Sequence, residues 1–466
     1  MENGQNKAPR RPVRRRRRRN PVYVFIHSYL PILAVVLLVV LFVIFASNSL
    51  RRSRERRELE RQESIAALEA EQAKKEEMDI LAAQVIAQAQ EMANNYDYEG
   101  AVTLIDAFEG NPFDYDRMVS IREHCLEVLD SMVTWDDPSL VPNLSFQLLV
   151  ADPERAFAHA GYGTSFRNNF ITIQEFSAIL EQLYAKGYVL VDQEDIFTYS
   201  AATGYTANTL QLPAGKKPIM LTQTQVYDFE YMSDGQNVNT TNSAGFATRL
   251  VLEGGQLKSE YIDANGQTRT GAYDLIPILE DFIAVHPDFS YHGARATIAV
   301  TGYDGILGYR TDPETATAFG QEYYDEQVRQ TSEMVIALQD RGYRFACYTY
   351  GNVRYGQFST AQIKNDQDKW KAQVEPLLGV VDTLVLAKQN DISDTQEPYS
   401  GDKFQLLYSL GYRYFYGFAA DGETWSCTGS DHTRQGRILV TGSAIASASD
   451  IFTELFDPAL VRDPLR

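Results

Sequence analysis

From about Pro138 onward the sequence predicts an α/β domain built on parallel strands. Two observations carry this. Short apolar runs recur in order: LSFQLLV (144–150), YVLV (188–191), PIMLT (218–222), ATIAVTG (296–302), RFACYTY (344–350), TLVLA (383–387) and YFYGF (414–418). Between them lie ITIQEFSAILEQLYAKG, YDLIPILEDFIAVHP, DEQVRQTSEMVIALQDRG and NDQDKWKAQVEPLLG, each with apolar residues three and four apart. Unbroken apolar runs suit strands covered on both faces, and their alternation with amphipathic helices marks βαβ units. The product is a barrel or an open parallel sheet.

With 466 residues the chain exceeds one compact core, and the segments before this domain differ in kind. Residues 1–21 form a basic tail containing Arg14–Arg19. Next, 22–47 holds YLPILAVVLLVVLFVIFA (Tyr29–Ala46), uncharged and apolar. That run crosses a bilayer of ~30 Å, whereas a secretory h-region is only about 7–15 residues long. Lys and Arg number nine before the span and six in the first stretch after it. This predicts a single-pass signal-anchor, with a cytoplasmic N-terminus and the bulk of the chain outside the cell membrane. Residues 48–82 are rich in helix formers, but their apolar stripe is intermittent. A solvated helical stalk with scope for self-association follows. Residues 83–137 read as a helical hairpin turning at Gly110–Asn111–Pro112, similar to one tetratricopeptide-type unit. A single copy cannot build a stacked array, so packing on the next domain is expected. The remainder, 138–466, is the α/β domain, with a β-hairpin insertion at about 228–273 marked by Glu-Gly-Gly and Asn-Gly turns.

Net charge is −19. Residues 1–61 carry fifteen basic and four acidic side chains; the rest carry 28 and 58. Such an acidic ectodomain excludes a nucleic-acid footprint in the folded part. Three scattered cysteines (Cys125, Cys347, Cys427) exclude a disulfide framework or a zinc ribbon and are expected as buried thiols.

Several phrases in the α/β domain resemble a known family: VPNLSFQLLVADPERAF, ITIQEFSAILEQLYAKGYVLVDQEDIF, KPIMLTQTQVYDFEYM, ATIAVTGYDGILGYRTD and RGYRFACYTYGN, in that order. They are similar to polysaccharide deacetylases of the NodB-homology type (carbohydrate esterase family four), closest to long membrane-anchored forms from clostridia-like, Gram-positive-like bacteria. The resemblance spans roughly 139–450. It implies a distorted (β/α)7 barrel and metal-dependent removal of acetyl groups from N-acetylated glycans. The site is then expected at the carboxyl ends of the strands.

The implied chemistry needs a divalent metal on one carboxylate and two histidines, a second aspartate as base, and a histidine as acid. Aligned on the strands, the paired aspartates fall on Thr224 and Gln225, and the metal histidines on Tyr348 and Asn352. The opening-strand histidine falls on Gln147, and a late proline-rich loop falls near Ala387–Gln389. Neutral amides and hydroxyls neither hold a zinc-like ion well nor take a proton near neutral pH. No cofactor is therefore expected, and a divalent metal such as zinc belongs only to the alternative of a divergent hydrolase with substitute ligands. Asp228, Glu230 and His432 are the weak substitutes. Retained polar and aromatic residues suit holding a sugar: Tyr303, Asp304, Tyr309, Arg310, Tyr350 and Trp425. The leading expectation is an inactive, membrane-anchored, deacetylase-like protein that binds cell-wall or extracellular polysaccharide. A scaffold acting through stalk and hairpin is the remaining alternative.

Overall fold

The computed structural model describes residues 21–227 and 244–466, so Asp228 and Glu230 lie outside the described residues. Two compact units are present, 1–83 and 84–466. In the first, the described residues belong to helix α1 (Pro21–Asn94), which is long and apolar enough at its N-terminal end to cross a membrane. Its apolar side chains from Tyr29 to Phe45 are exposed almost throughout, and the segment predicted as a stalk continues the same helix.

The second unit begins with the last residues of α1. Helix α2 (Tyr98–Asp106) starts at Asp97, whose carboxylate caps Gly100 N, and α3 (Asp116–Asp130) returns beside it. Arg122 clamps Asp106, and Arg117 reaches Gln90 at 2.8 Å. The hairpin packs on the α/β domain through Tyr96, whose buried hydroxyl donates to Asp288 O at 2.6 Å. After α3, Met132–Trp135 pairs antiparallel with Leu210–Pro213.

The α/β domain is a closed barrel of seven parallel strands. They are β1 (Asn143–Phe146), β2 (Lys217–Thr224), β3 (Thr297–Val300), β4 (Arg344–Cys347), β5 (Thr383–Val385), β6 (Tyr414–Phe418) and β7 (Thr433–Leu439). Each pairs with the next in sequence, and β7 pairs with β1 to close the ring. Helices such as Ile173–Ala185, Leu275–Val285, Gln321–Gln339 and Thr360–Gln373 connect them. Their apolar faces bury Phe176, Ile179, Leu279, Leu338 and Trp370 against the sheet. Between β6 and β7 the chain returns through the short antiparallel strand Ser426–Thr428.

One strand differs from expectation. YVLV forms Tyr188–Leu190, yet among the strands it pairs with Lys217–Ile219, the first part of β2, and beyond that makes a single bridge from Leu190 to Ser290. Strand β2 is eight residues long, and β3 joins the same edge only at Thr222–Thr224. YVLV thus occupies an edge the barrel leaves uncovered. The seventh barrel strand is TRQGRIL, which no apolar run announces, although six of its seven residues are buried. The insertion is a three-stranded antiparallel sheet, Ala247–Glu253, Gln256–Ile262 and Thr268–Gly271, rather than a single hairpin.

Candidate functional site

The carboxyl ends of the barrel strands surround a cavity of about 490 Å³. Gln147 after β1, Thr224 and Gln225 at the end of β2, and Tyr348 and Asn352 after β4 all line it. Strand alternation explains the Thr-Gln-Thr-Gln pattern at the end of β2. Thr222 and Thr224 share one face, where their hydroxyls donate to Asn143 Oδ1 (2.8 Å) and Phe146 O (3.3 Å). Gln223 points the other way and donates to Asp274 Oδ2 at 2.7 Å.

Three cations complete the lining: Arg354, Lys388 and Arg437. No aspartate or glutamate lines it among the described residues. Tyr162, Phe166 and Phe418 add aromatic faces, and Tyr162 stacks on Phe166 with ring centroids 5.8 Å apart. Arg437 is 4 % exposed and donates to Ser145 Oγ (2.8 Å), Leu386 O (2.9 Å) and Gly417 O (3.1 Å). Burial pushes its guanidinium below its ordinary pKa, but arginine stays charged.

The backbone around the cavity is strained. Gln225, Asn352, Lys388 and Gln389 have φ of 55°, 50°, 54° and 53°. Left-handed backbone costs a side chain other than glycine roughly 1–2 kcal/mol, and such outliers gather at ligand sites. Asn352 Oδ1 is also buried without a hydrogen-bond partner. A larger depression of about 710 Å³ lies between helices Ile173–Ala185 and Leu275–Val285, but it includes no strand-end residue.

The six residues expected to hold a sugar lie outside this cavity. Tyr309 is buried and donates to Leu250 O at 2.6 Å, so its ring packs in the core. Trp425 is buried too, lying across Gly436 with the Arg434 guanidinium 5.2 Å away. Tyr350 donates to Gln373 Oε1 at 2.6 Å, and Arg310 reaches back to Asp304 O at 3.0 Å. Tyr303 stays exposed, beside Asp304 with its φ of 57°. His432 is corrected as a metal-ligand candidate. Its Nδ1 faces Asp431 at 2.7 Å, its Nε2 accepts from Tyr399 N at 2.8 Å, and burial holds its pKa down. Sequence reasoning missed Tyr162, Arg354 and the role of Arg437. Arg354 and Arg437 carried a positional signal, lying in the loop after β4 and near the end of β7, whereas Tyr162 stands between two short helices and carried none.

A divalent metal does not fit this lining. The strand-end positions Thr224, Gln225, Tyr348 and Asn352 present amides, a hydroxyl and a phenol, and the neighbouring charges are positive. Zinc selects imidazole, thiolate or carboxylate, and none lines the cavity among the described residues. No three His, Cys, Asp or Glu side chains converge elsewhere among them.

No family model and no curated protein matches this chain. Among solved structures it is similar to a Streptococcus pyogenes deacetylase, PplD, in complex with acetate. The identity is 16%, the TM-score is 0.32, and the match covers 65% of this chain and 92% of that one.

Asp274 sits behind the cavity and ties the two strands that carry Gln147 and Thr224. It accepts from Leu149 N at 3.0 Å and from Gln223. Full burial raises its carboxyl from 3.8 to about 6, against the pull of those donors. Between these values the unfolded chain is ionised at Asp274 while the fold keeps its proton. Stability therefore falls as pH rises from about 4 to 6, by ~3 kcal/mol, and is flat in this group above that. Burial raises Asp195 to about 6 as well, so in Asp274→Asn the slope of the calorimetric Tm over this window is expected to become shallower by the share of Asp274 while that of Asp195 stays; an unchanged slope assigns it to other groups.

Proposed function

We propose that this chain is a membrane-anchored, extracytoplasmic glycan-binding protein whose deacetylase-like barrel no longer catalyses. The observation that carries the reading is the cavity lining: Gln147, Thr224, Gln225, Tyr348 and Asn352 converge at the strand ends without a carboxylate or imidazole among the described residues. Thr224, Gln225, Tyr348 and Asn352 are the positions where the resemblance places base and metal ligands, and Gln147 is that of its opening-strand histidine. Loss of a general base alone costs ~10²–10⁴ in rate, and without a metal the water is not activated either. The groups present favour holding a sugar. Amides bond hydroxyls in both directions, and Tyr162, 42 % exposed, offers a ring face for the apolar side of a pyranose. The apolar start of α1 supports anchoring, and the excess of Lys and Arg before it supports a cytoplasmic N-terminus.

The test uses the full chain in detergent micelles. Metal content by mass spectrometry is expected well below one zinc per chain, and acetate release from N-acetylated oligosaccharides is expected at the blank level. Retention on insoluble N-acetylated glycan is expected to fall ~5-fold or more in Tyr162→Ala, the scale of one lost aromatic contact of about 1 kcal/mol. Stoichiometric zinc accompanied by acetate release overturns the inactive reading; absent retention overturns the glycan reading.

A further inference from the structure

Three arginines are buried among the described residues: Arg434, Arg437 and Arg466, at 1 %, 4 % and 8 % exposure. Two are ion-paired. Arg434 meets Asp391 at 3.2 Å and lies over the Tyr399 ring at 3.7 Å. Arg466 meets Glu175 at 2.5 Å. Arg437, three residues beyond Arg434 on the same strand, makes no ion pair among the described residues: its bonds go to two carbonyls and a serine hydroxyl, and Asp391, whose charge reaches it, is already held by Arg434 and Tyr399. Those bonds use three of its five N–H groups, leaving one on each terminal nitrogen. A carboxylate shared with a second arginine does not fully compensate a buried guanidinium whose own hydrogen bonds all go to neutral groups. Tying β7 to its neighbours needs hydrogen bonds but no charge, so a structural role alone does not account for an arginine here.

Charge at the mouth points the same way. Lys388 and Arg354 are exposed at the rim of the cavity, within a domain whose balance is strongly acidic. Lys388 is held there on left-handed backbone, and its N–H donates to Tyr348 Oη at 3.3 Å. Asn352 Oδ1, buried without a partner, suits a hydroxyl of the sugar that carries the charge rather than the anion itself.

We infer that this cavity binds an anionic group carried on the glycan, a carboxylate or a phosphate, with Arg437 as the buried anchor and Lys388 and Arg354 at the rim. The inference rests on the glycan-binding reading and adds the charge of the ligand. A guanidinium suits this work because its fork matches both carboxylate and phosphate.

Calorimetric titration of the full chain in detergent, at low and high salt, tests it with four probes. These are trigalacturonate, its fully methyl-esterified form, glycerol 3-phosphate, and the neutral trimer of N-acetylglucosamine. At least one anionic probe is expected to bind ~10-fold or more tightly than the neutral sugars, and to weaken with salt. Preference for trigalacturonate identifies a uronate-type ligand, preference for the phosphate a phosphodiester-type ligand, and equal binding a shared anion site. The double variant Lys388→Gln, Arg354→Gln, at exposed positions, is expected to lose ~10-fold in anion affinity and much of the salt dependence, with neutral-sugar affinity unchanged. Arg437→Gln is expected to lose more, ~100-fold, provided its circular dichroism and Tm match wild type. Neutral sugars binding as tightly as the anions, or full anion affinity in the double variant, overturn the inference and leave the glycan reading standing. Silence from all four probes removes both.

Discussion

Arg466→Ala is expected to destabilise the barrel by ~3–5 kcal/mol, the usual cost of leaving one member of a buried ion pair alone. Glu175 is completely buried and accepts from Arg466 Nε and Nη2, both at 2.5 Å. It also accepts from Thr172 N (2.8 Å) and Asp463 N (3.1 Å), so it caps the helix Ile173–Ala185 as well as holding the C-terminal segment. Alanine at 466 leaves that carboxylate without its counter-charge in a site closed to water. Arg466 also donates to the carbonyls of Arg167 and Phe170, which fixes the turn bearing Asn169 and Phe170, two cavity-lining residues. Weaker ligand binding should accompany the lost stability. Urea unfolding measures the first effect and probe titration the second. Glu175→Gln with Arg466→Met is expected to recover most of the stability, because a neutral pair of similar volume has no charge to desolvate. A single variant as stable as wild type shows that the pair carries no net energy.

The second large effect is a gain. Thr224→Asp, Gln225→Asp, Tyr348→His and Asn352→His together place two carboxylates and two imidazoles around one cavity. Zinc affinity at pH 7.5 is expected to rise by at least ~100-fold over wild type, since these groups are the ones zinc selects. Arg437 opposes this gain, because it adds a buried positive charge to the same lining. Adding Arg437→Gln should strengthen zinc binding by a further tenfold or so, about 1–2 kcal/mol of removed repulsion at the effective dielectric of a protein site. Competition with a chromogenic chelator reads both steps. If the four substitutions leave zinc affinity at the wild-type level, the placement of the family's ligand positions on these residues is wrong.

The sequence by itself determined the apolar span, the parallel α/β class and the strand ends at Thr224 and Tyr348, because periodicity and polarity are local properties of the chain. The same reasoning picked YVLV, a run as apolar as any barrel strand, and passed over TRQGRIL, whose arginines disguise a buried strand. Only closure of the ring separates the two: β7 is buried by β6 on one side and β1 on the other, contacts that no window of sequence contains. Two of the predicted sugar-holding aromatics lie in the core for a related reason. Tyr309 and Trp425 have the chemistry of a groove, yet the packing around them leaves no open face. The electrostatic character of the cavity was decided by tertiary structure alone. Arg354, Lys388 and Arg437 come from three separate connections or strands, and whether a buried arginine meets a carboxylate depends on which strand end faces it. Arg434 pairs directly with Asp391, whereas Arg437, three positions further on the same strand, makes no direct ion pair with it. Charge pairing in a barrel is set by the ring, and the chain order only supplies the candidates.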